Sequence, residues 1–367
     1  MADLNLPSEP AIARLGTGRV VLNSLLIVIG LGLLFAPFLF PDVRSQEVAA
    51  RICVFIVLAA SYDLLIGYTG IVSFAHTTFF GLGSYGVAIA LKSVGPNWPA
   101  IILGAASGVA LSIVLAVMIG LLSLRVKSIF FAMVTLAVGS LTLVVASQLS
   151  GITGGEDGMT FQVPHFFSPA FRLAANASGG TLRLLGARMD GKLLLYYFVL
   201  ASAAILLFLM LRIVASPLGT VLKAIRENDT RAEAIGYRVV VYRTAIFCIA
   251  AVIAALAGTL WALWLQYAGP QATLSFSIMI DILLMVVIGG MGTILGSVIG
   301  VVLMTLAQFY LQDLMKLATA ATQAIPGLPQ VFNPDRWLLW LGLVFILLVY
   351  FSPAGIVGTL TKRDGGR

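Results

Sequence analysis

The sequence predicts an all-α, polytopic membrane protein with about ten transmembrane segments, some short or broken, and a small polar loop region on the outer side. Three observations predict it. Of 367 residues, 60% are hydrophobic and only 10% charged, with a mean hydropathy of +1.05; a soluble chain carries roughly a quarter charged residues. Apolar runs suited to crossing a bilayer recur along the chain. Two of those runs are interrupted by glycine, in the way helices of transport proteins often are. The net charge of +7 then reads as a topology signal rather than as affinity for nucleic acid.

The apolar runs cover residues 20–40, 50–66, 70–91, 98–123, 128–147, 193–214, 242–268, 277–289, 293–312 and 337–352. They define a membrane domain over 20–352 between a tail at 1–19 and a tail at 353–367. The first run is long enough to span, so a cleavable signal peptide is not expected. The runs at 277–289 and 337–352 fall short of the ~20 residues of a straight span, which leaves them tilted, paired or re-entrant. Ten crossings put both tails on one side, with Arg14, Arg19, Arg125, Lys127, the cluster from Arg212 to Arg243, Lys362, Arg363 and Arg367. These are thirteen of the 22 Lys and Arg, so that side is cytoplasmic. The longest outer segment, 148–192, contains TGGEDG at Thr153–Gly158, where Gly154, Gly155 and Gly158 mark turns. It forms either a small cap with short strands or an open loop. Cys53 and Cys248 lie in apolar runs with no CxxC partner and read as small core hydrophobes. Trp98, Trp261, Trp264, Tyr267, Trp337 and Trp340 fall where membrane interfaces are expected.

Residues 216–243, SPLGTVLKAIRENDTRAEAIGYRVVVYR, are charged and amphipathic between two spans. Ser216 suits a helix cap and Pro217 a first turn. Leu218, Val221, Leu222 and Ile225 recur on one face. Lys223, Arg226, Glu227 and Arg231 take the other, with Lys223–Glu227 and Glu227–Arg231 spaced i,i+4, and Gly236 ends the pattern. The expectation is one surface helix from about Pro217 to Ile235. Such a helix could rest on anionic lipid, but Glu227, Asp229 and Glu233 interrupt the positive charge and favour a protein partner.

The glycine-broken stretches are Gly67–Gly86 and Ile288–Gly300. Irregular backbone at membrane depth survives only where protein or a watery cavity covers it. For Gly81, Gly83, Gly296 and Gly300 close helix packing is the first reading. For Gly67, Gly70, Ser73 and His76, packing and a transport pathway both stand. Asp63 and Asp281 are the only acidic residues within the runs, and such residues are functional by default. Asp63 is expected to bond the broken backbone after Gly67, and Asp281 to lie near an interface. Their pairing as an intramembrane aspartyl protease is a remote reading, because Asp281 lacks the Gly-x-Gly-Asp setting. Two histidines, His76 and His165, cannot build a His-based zinc site, and His76 reads as a structural hydrogen-bonder before a proton shuttle. The absence of a GxxxxGK[ST] phosphate loop excludes an ATPase of that type.

GYTGIVSFAHTTFFGLGSYG, SPLGTVLKAIRENDTRAEAIGY, MVVIGGMGTILGSVIG and the closing FSPAGIVG, in that order over Ile52–Gly358, resemble the LivM-type permeases of branched-chain amino acid ABC transporters. The resemblance implies a non-catalytic, multi-pass subunit of the bacterial inner membrane with both termini cytoplasmic, 148–192 periplasmic and 216–237 a cytoplasmic coupling helix. Implied partners are a LivH-like paralogous permease, two cytoplasmic ABC ATPase subunits that use the ATP and Mg, a periplasmic substrate-binding protein and the lipid bilayer; no cofactor, metal or nucleic acid is implied for this chain. Coupling would fall to Leu218, Leu222, Lys223, Ile225, Arg226, Glu227, Asn228, Arg231, Ala232, Glu233 and Gly236. The pathway would involve Asp63, Gly67, Tyr68, Gly70, Ser73, His76, Gly289, Gly290 and Gly292. Ala75 replaces a usual glycine and Ser297 a usual proline, and related systems carry other amino acids, amides, urea or aromatic acids. The rival class is a single-chain secondary transporter that couples solute to an ion through Asp63 or Asp281.

Overall fold

The computed structural model describes residues 17–40, 42–123, 128–172, 183–184, 187–321, 333–352 and 354–362. Arg14, Arg125, Lys127, Arg363 and Arg367, which carry part of the expected charge asymmetry, lie outside these residues. A helix occupies every predicted run: α1 (Thr17–Leu39), α2 (Val43–Thr69), α3 (His76–Val94), α4 (Trp98–Ser123), α5 (Ser128–Gln148), α7 (Gly191–Ala215), α10 (Val239–Leu265), α12 (Phe276–Gly289), α13 (Ile294–Ala321) and α14 (Trp337–Phe351). Shorter helices are α6 (Ser150–Thr153), α8 (Pro217–Glu227), α9 (Asp229–Ala234), α11 (Pro270–Thr273) and α15 (Gly355–Lys362). Helices satisfy their own backbone groups, which hydrocarbon requires.

Among the described residues, nine helical stretches are long and apolar enough to cross a membrane. The tenth run gives α3, whose His76, Thr77, Thr78, Ser84 and Lys92 lower its hydropathy; all but Lys92 are buried inside the bundle. The two short runs are lengthened by neighbours, since spanning stretches cover Pro270–Gly289 and Pro334–Thr359. Buried from Val48 to Thr69 except at Arg51 and Ile66, α2 is the axis of the fold, packed on α7, α10, α12 and α13.

Small residues set the helix spacing. Gly83 faces the Ala255 backbone and Gly258 the Phe80 backbone, so α3 and α10 approach closely enough for Ser84 Oγ to donate to Gly258 O at 2.8 Å. Gly81 lies under Leu274, Gly296 against Gly289 and Gly300 against Met285, which is the packing role expected of them. Two tryptophans correct the interfacial reading. Trp261 and Trp264 are 9% and 5% exposed, edge-on to Phe55 and Tyr196 respectively, because α10 turns its aromatic end toward α2 and α7 rather than lipid.

At the end of the bundle away from α8, β1 (Met159–Thr160) pairs antiparallel with β4 (Tyr267–Ala268), and β2 (Arg183–Leu184) with β3 (Ala187–Arg188). Gly154, Gly155 and Gly158 all have positive φ and fold TGGEDG tightly enough for Tyr267 Oη to donate to Asp157 O at 2.9 Å. Over its described residues the region is a cap with short strands.

Candidate functional site

The surface segment is two helices, not one. α8 stops at Glu227, and Asn228 (φ −160°) starts α9, accepting from Arg231 N through Oδ1 at 2.9 Å. Side chains of this kind favour a cap over a helix interior. α9 ends as a Schellman turn on Gly236 (φ +97°): Tyr237 N donates to Ala232 O at 3.1 Å and Gly236 N to Glu233 O at 2.9 Å. Ser216 begins α8, but its hydroxyl donates backward to Ile213 O at 2.6 Å rather than capping.

The apolar face is already covered by this chain. Leu222, Ile225 and Ala232 are 1%, 0% and 2% exposed, with Ile225 and Ala232 packed beside Val239, Val221 and Tyr242. Of the apolar face expected to dock, Leu222 and Ile225 are thus packed within this chain, while Leu218 and Val221 stay half-buried. Neither predicted i,i+4 pair forms among the described residues. Glu227 and Arg231 are on different helices, and Lys223 Nζ lies 5.6 Å from the centre of the Tyr68 ring. Arg243 pairs instead with Asp229 at 2.7 Å. Exposed polar residues are Lys223, Arg226, Glu227, Asn228, Thr230, Arg231, Glu233 and Arg238, together with the apolar Ile235 (67%) and Tyr237 (37%).

Arg226 reaches inward: its Nη1 donates to Gly67 O in the last turn of α2. A carbonyl there has no partner within its own helix and stands at the negative end of the dipole. Gly70 ends α2 in the left-handed region (φ +71°). Beside it runs the second break, with Gly290 (φ +113°) and Gly292 (φ +86°) between α12 and α13. Asp63 Oδ1 accepts from Gly292 N at 2.8 Å. Asp63 thus bonds the second broken segment rather than the backbone after Gly67, because the side-chain-free Gly67, one turn further along α2, lets Gly292 come in. A Cβ on Gly67 would collide with both Asp63 Oδ1 and Gly292 N. Gly355 (φ +71°) of α15 abuts Gly290 in turn, and Gly289 meets Gly296. Four sequence blocks far apart in the chain therefore meet at one place, on the face that carries α8.

The first break starts at this face and climbs back. Residues 70–75 are non-helical, and the chain re-enters beside α2 until His76 Nε2 sits 2.8 Å from Ser61 Oγ. Ser61 donates to Leu58 O at 2.8 Å, which assigns the shared hydrogen to the imidazole. Thr135 of α5 accepts from Phe74 N at 3.0 Å, and Ser73 Oγ from Ala75 N at 3.3 Å, so side chains replace helical partners along the break. Ser73 and His76 are fully buried. Of the candidate pathway residues, Asp63, Gly67, Tyr68, Gly70, Gly289, Gly290 and Gly292 belong to the α8 face, while Ser73 and His76 lie deeper in the bundle.

Asp281 is held elsewhere. Gln308 Nε2 donates to it at 2.9 Å and Arg51 faces it at 3.9 Å. It precedes Gly289 by eight residues, about 12 Å along α12, so Asp63 and Asp281 do not share a proton as a protease dyad must. No group of three or more His, Cys, Asp or Glu able to hold a metal occurs among the described residues. Gly355, Arg51 and Gln308 were not singled out by sequence. The signal for Arg51 was available, a cation one position inside an apolar run.

A helical bundle packed around the largely buried α2, with two glycine-broken segments tied to a charged surface helix, has the build of a multi-pass membrane protein. The chain belongs to the family described as "Branched-chain amino acid transport system / permease component", whose sequence model matches residues 46–349. It is 24% identical over 320 residues to the high-affinity branched-chain amino acid transport system permease protein LivM of Salmonella typhimurium, 85% of this chain and 70% of that one. The protein of the same name from Escherichia coli K12 is 23% identical over 324 residues, with the same coverage. A probable branched-chain amino acid transport permease protein LivM of Methanocaldococcus jannaschii is 25% identical over 238 residues, 64% of this chain and 61% of its own. No solved structure matches the chain.

Proposed function

We propose that this permease component is one of two transmembrane subunits of an ATP-binding-cassette importer of the bacterial inner membrane, carrying branched-chain amino acids inward. A LivH-like second permease, two cytoplasmic ATPase subunits and a periplasmic binding protein complete it. ATP chemistry belongs to the ATPases, and this chain supplies the path and the mechanical link. The observation that carries the reading is the seating of α8–α9: its charged side is exposed, and its inner side is bonded to the broken ends of the membrane helices.

Docking on the ATPase falls to the exposed residues. Glu227, Arg231 and Glu233 form a rim of mixed charge that sets register. Ile235 and Tyr237 form the apolar step that a partner's cleft would cover. The α8 face is then cytoplasmic, in keeping with the Lys and Arg concentrated there. Co-purification tests the proposal. Tagged chain co-expressed with the ATPases should retain them, and Ile235→Asp combined with Glu227→Lys should lower recovery about tenfold or more, while the chain still inserts. Undiminished recovery and uptake would refute this docking surface. Uptake that collapses with an ion gradient while ATP persists would favour the single-chain, ion-coupled carrier instead.

A further inference from the structure

We propose that Arg226 and Asp63 are positioning residues that latch the surface helix to both glycine-broken segments, so that α8 cannot shift without moving Gly67 and Gly292 with it. The proposal deepens the coupling reading and rests on it. The two residues act on one turn of α2. Arg226 holds the carbonyl of Gly67 from the side of α8. Asp63, four residues earlier and fully buried, holds the amide of Gly292.

No slack separates the three segments. A Cβ on Gly292 would lie 2.7 Å from Arg226 Nη1 and 3.0 Å from Gly67 O, at a positive φ of +86°, so a methyl group there would displace the Arg226 guanidinium and strain the backbone. One on Gly70 would lie 3.8 Å from Arg226 Cγ. Gly355 presses on Gly290 from the far side and closes the contact. Packed contacts of this kind pass on a displacement instead of absorbing it. Arg226 is exposed as a residue while its Nη1 bonds Gly67 O, and Glu227 of α8 with Arg231 and Glu233 of α9 are left to a partner.

The test uses the assembled transporter in proteoliposomes, with leucine as the probe solute, and reads three quantities: ATPase co-purification, ATP hydrolysis, and leucine taken up per ATP. Arg226→Gln and Asp63→Ala should retain recruitment and hydrolysis, while uptake per ATP falls roughly tenfold. Asp63→Asn keeps an acceptor for Gly292 N and should lose no more than about threefold; Arg226→Lys keeps a donor and should recover part of the loss. A short thiol cross-link between Lys223→Cys and Tyr68→Cys would tie α8 to α2 by another route. It should restore uptake per ATP in Arg226→Gln to the level of the same cysteine pair carrying Arg226, and release it again on reduction, which a merely structural Arg226 would not show. Wild-type uptake per ATP in Arg226→Gln and Asp63→Ala overturns the latch, as does a cross-link that forms without rescue. Lost ATPase co-purification in Arg226→Gln makes Arg226 a docking residue, which overturns the latch and leaves the coupling reading standing. A wild-type chain that recruits no ATPase overturns the coupling reading itself. If Arg226→Gln does not assemble, Arg226→Lys gives the same readouts with a smaller effect.

Discussion

The two ends of the bundle use charge differently at their buried groups. Away from α8, Arg51 faces Asp281 at 3.9 Å, Gln308 donates to Asp281 at 2.9 Å, and the exposed Arg44 meets Asp313 at 2.7 Å as well as Phe309 O. At the α8 end Arg243 likewise pairs with Asp229 at 2.7 Å, but Arg226 and Asp63 reach backbone instead, at Gly67 O and Gly292 N. A pair of side chains ties two helices together and can be exchanged for another pair of similar volume. A side chain on an exposed backbone group requires the backbone to come near, and only glycine permits that here. The first end is a staple, tolerant of composition; the second is a joint, tolerant of almost none.

The sharpest way to break this contrast is to fill the joint. Gly67→Val would drive a side chain into Asp63 Oδ1 and Gly292 N, and is expected to cost about 3 kcal/mol or more through overpacking and loss of a buried hydrogen bond. Thermal unfolding of the detergent-solubilised chain would measure it, and a melting temperature like that of the parent would show that the joint has room. At the staple, Arg51→Met alone should cost about 2 kcal/mol, because it leaves the half-buried Asp281 with Gln308 but without a cation. Adding Asp281→Leu should recover most of that, since apolar packing replaces a buried pair well. A double variant no more stable than the single would mean that the charges do more than tie α2 to α12. The smallest effect is expected at the rim. Arg44 and Asp313 have side chains 47% and 39% exposed, and Asp313→Asn should leave the melting temperature unchanged within error, since exposed pairs contribute little.

Hydropathy is a local property, so it was fully legible. A window of about 20 residues holds everything needed to recognise a span, and every predicted run carries a helix. The glycine breaks could be read for the same reason, as could the charged segment between α7 and α10. α9's cap at Asn228 was readable too, since Asn before a turn of helix is a local signal, but the continuous charge pattern hid it. The destination of the amphipathic face was not readable. Periodicity shows that Leu222 and Ile225 must be covered, but it does not say whether a partner or the same chain covers them.

By itself, then, the sequence determined the class of protein, its spans, the two breaks and the place of the surface helix, because each depends on the transfer of short segments between water and hydrocarbon. Tertiary structure alone decided what the polar residues hold. Arg226 and Gly67 are 159 positions apart, and Asp63 and Gly292 are 229 apart. A hydrogen bond requires its two atoms within about 3 Å, and only the packing of α2 against α8, α12 and α13 brings those atoms that close.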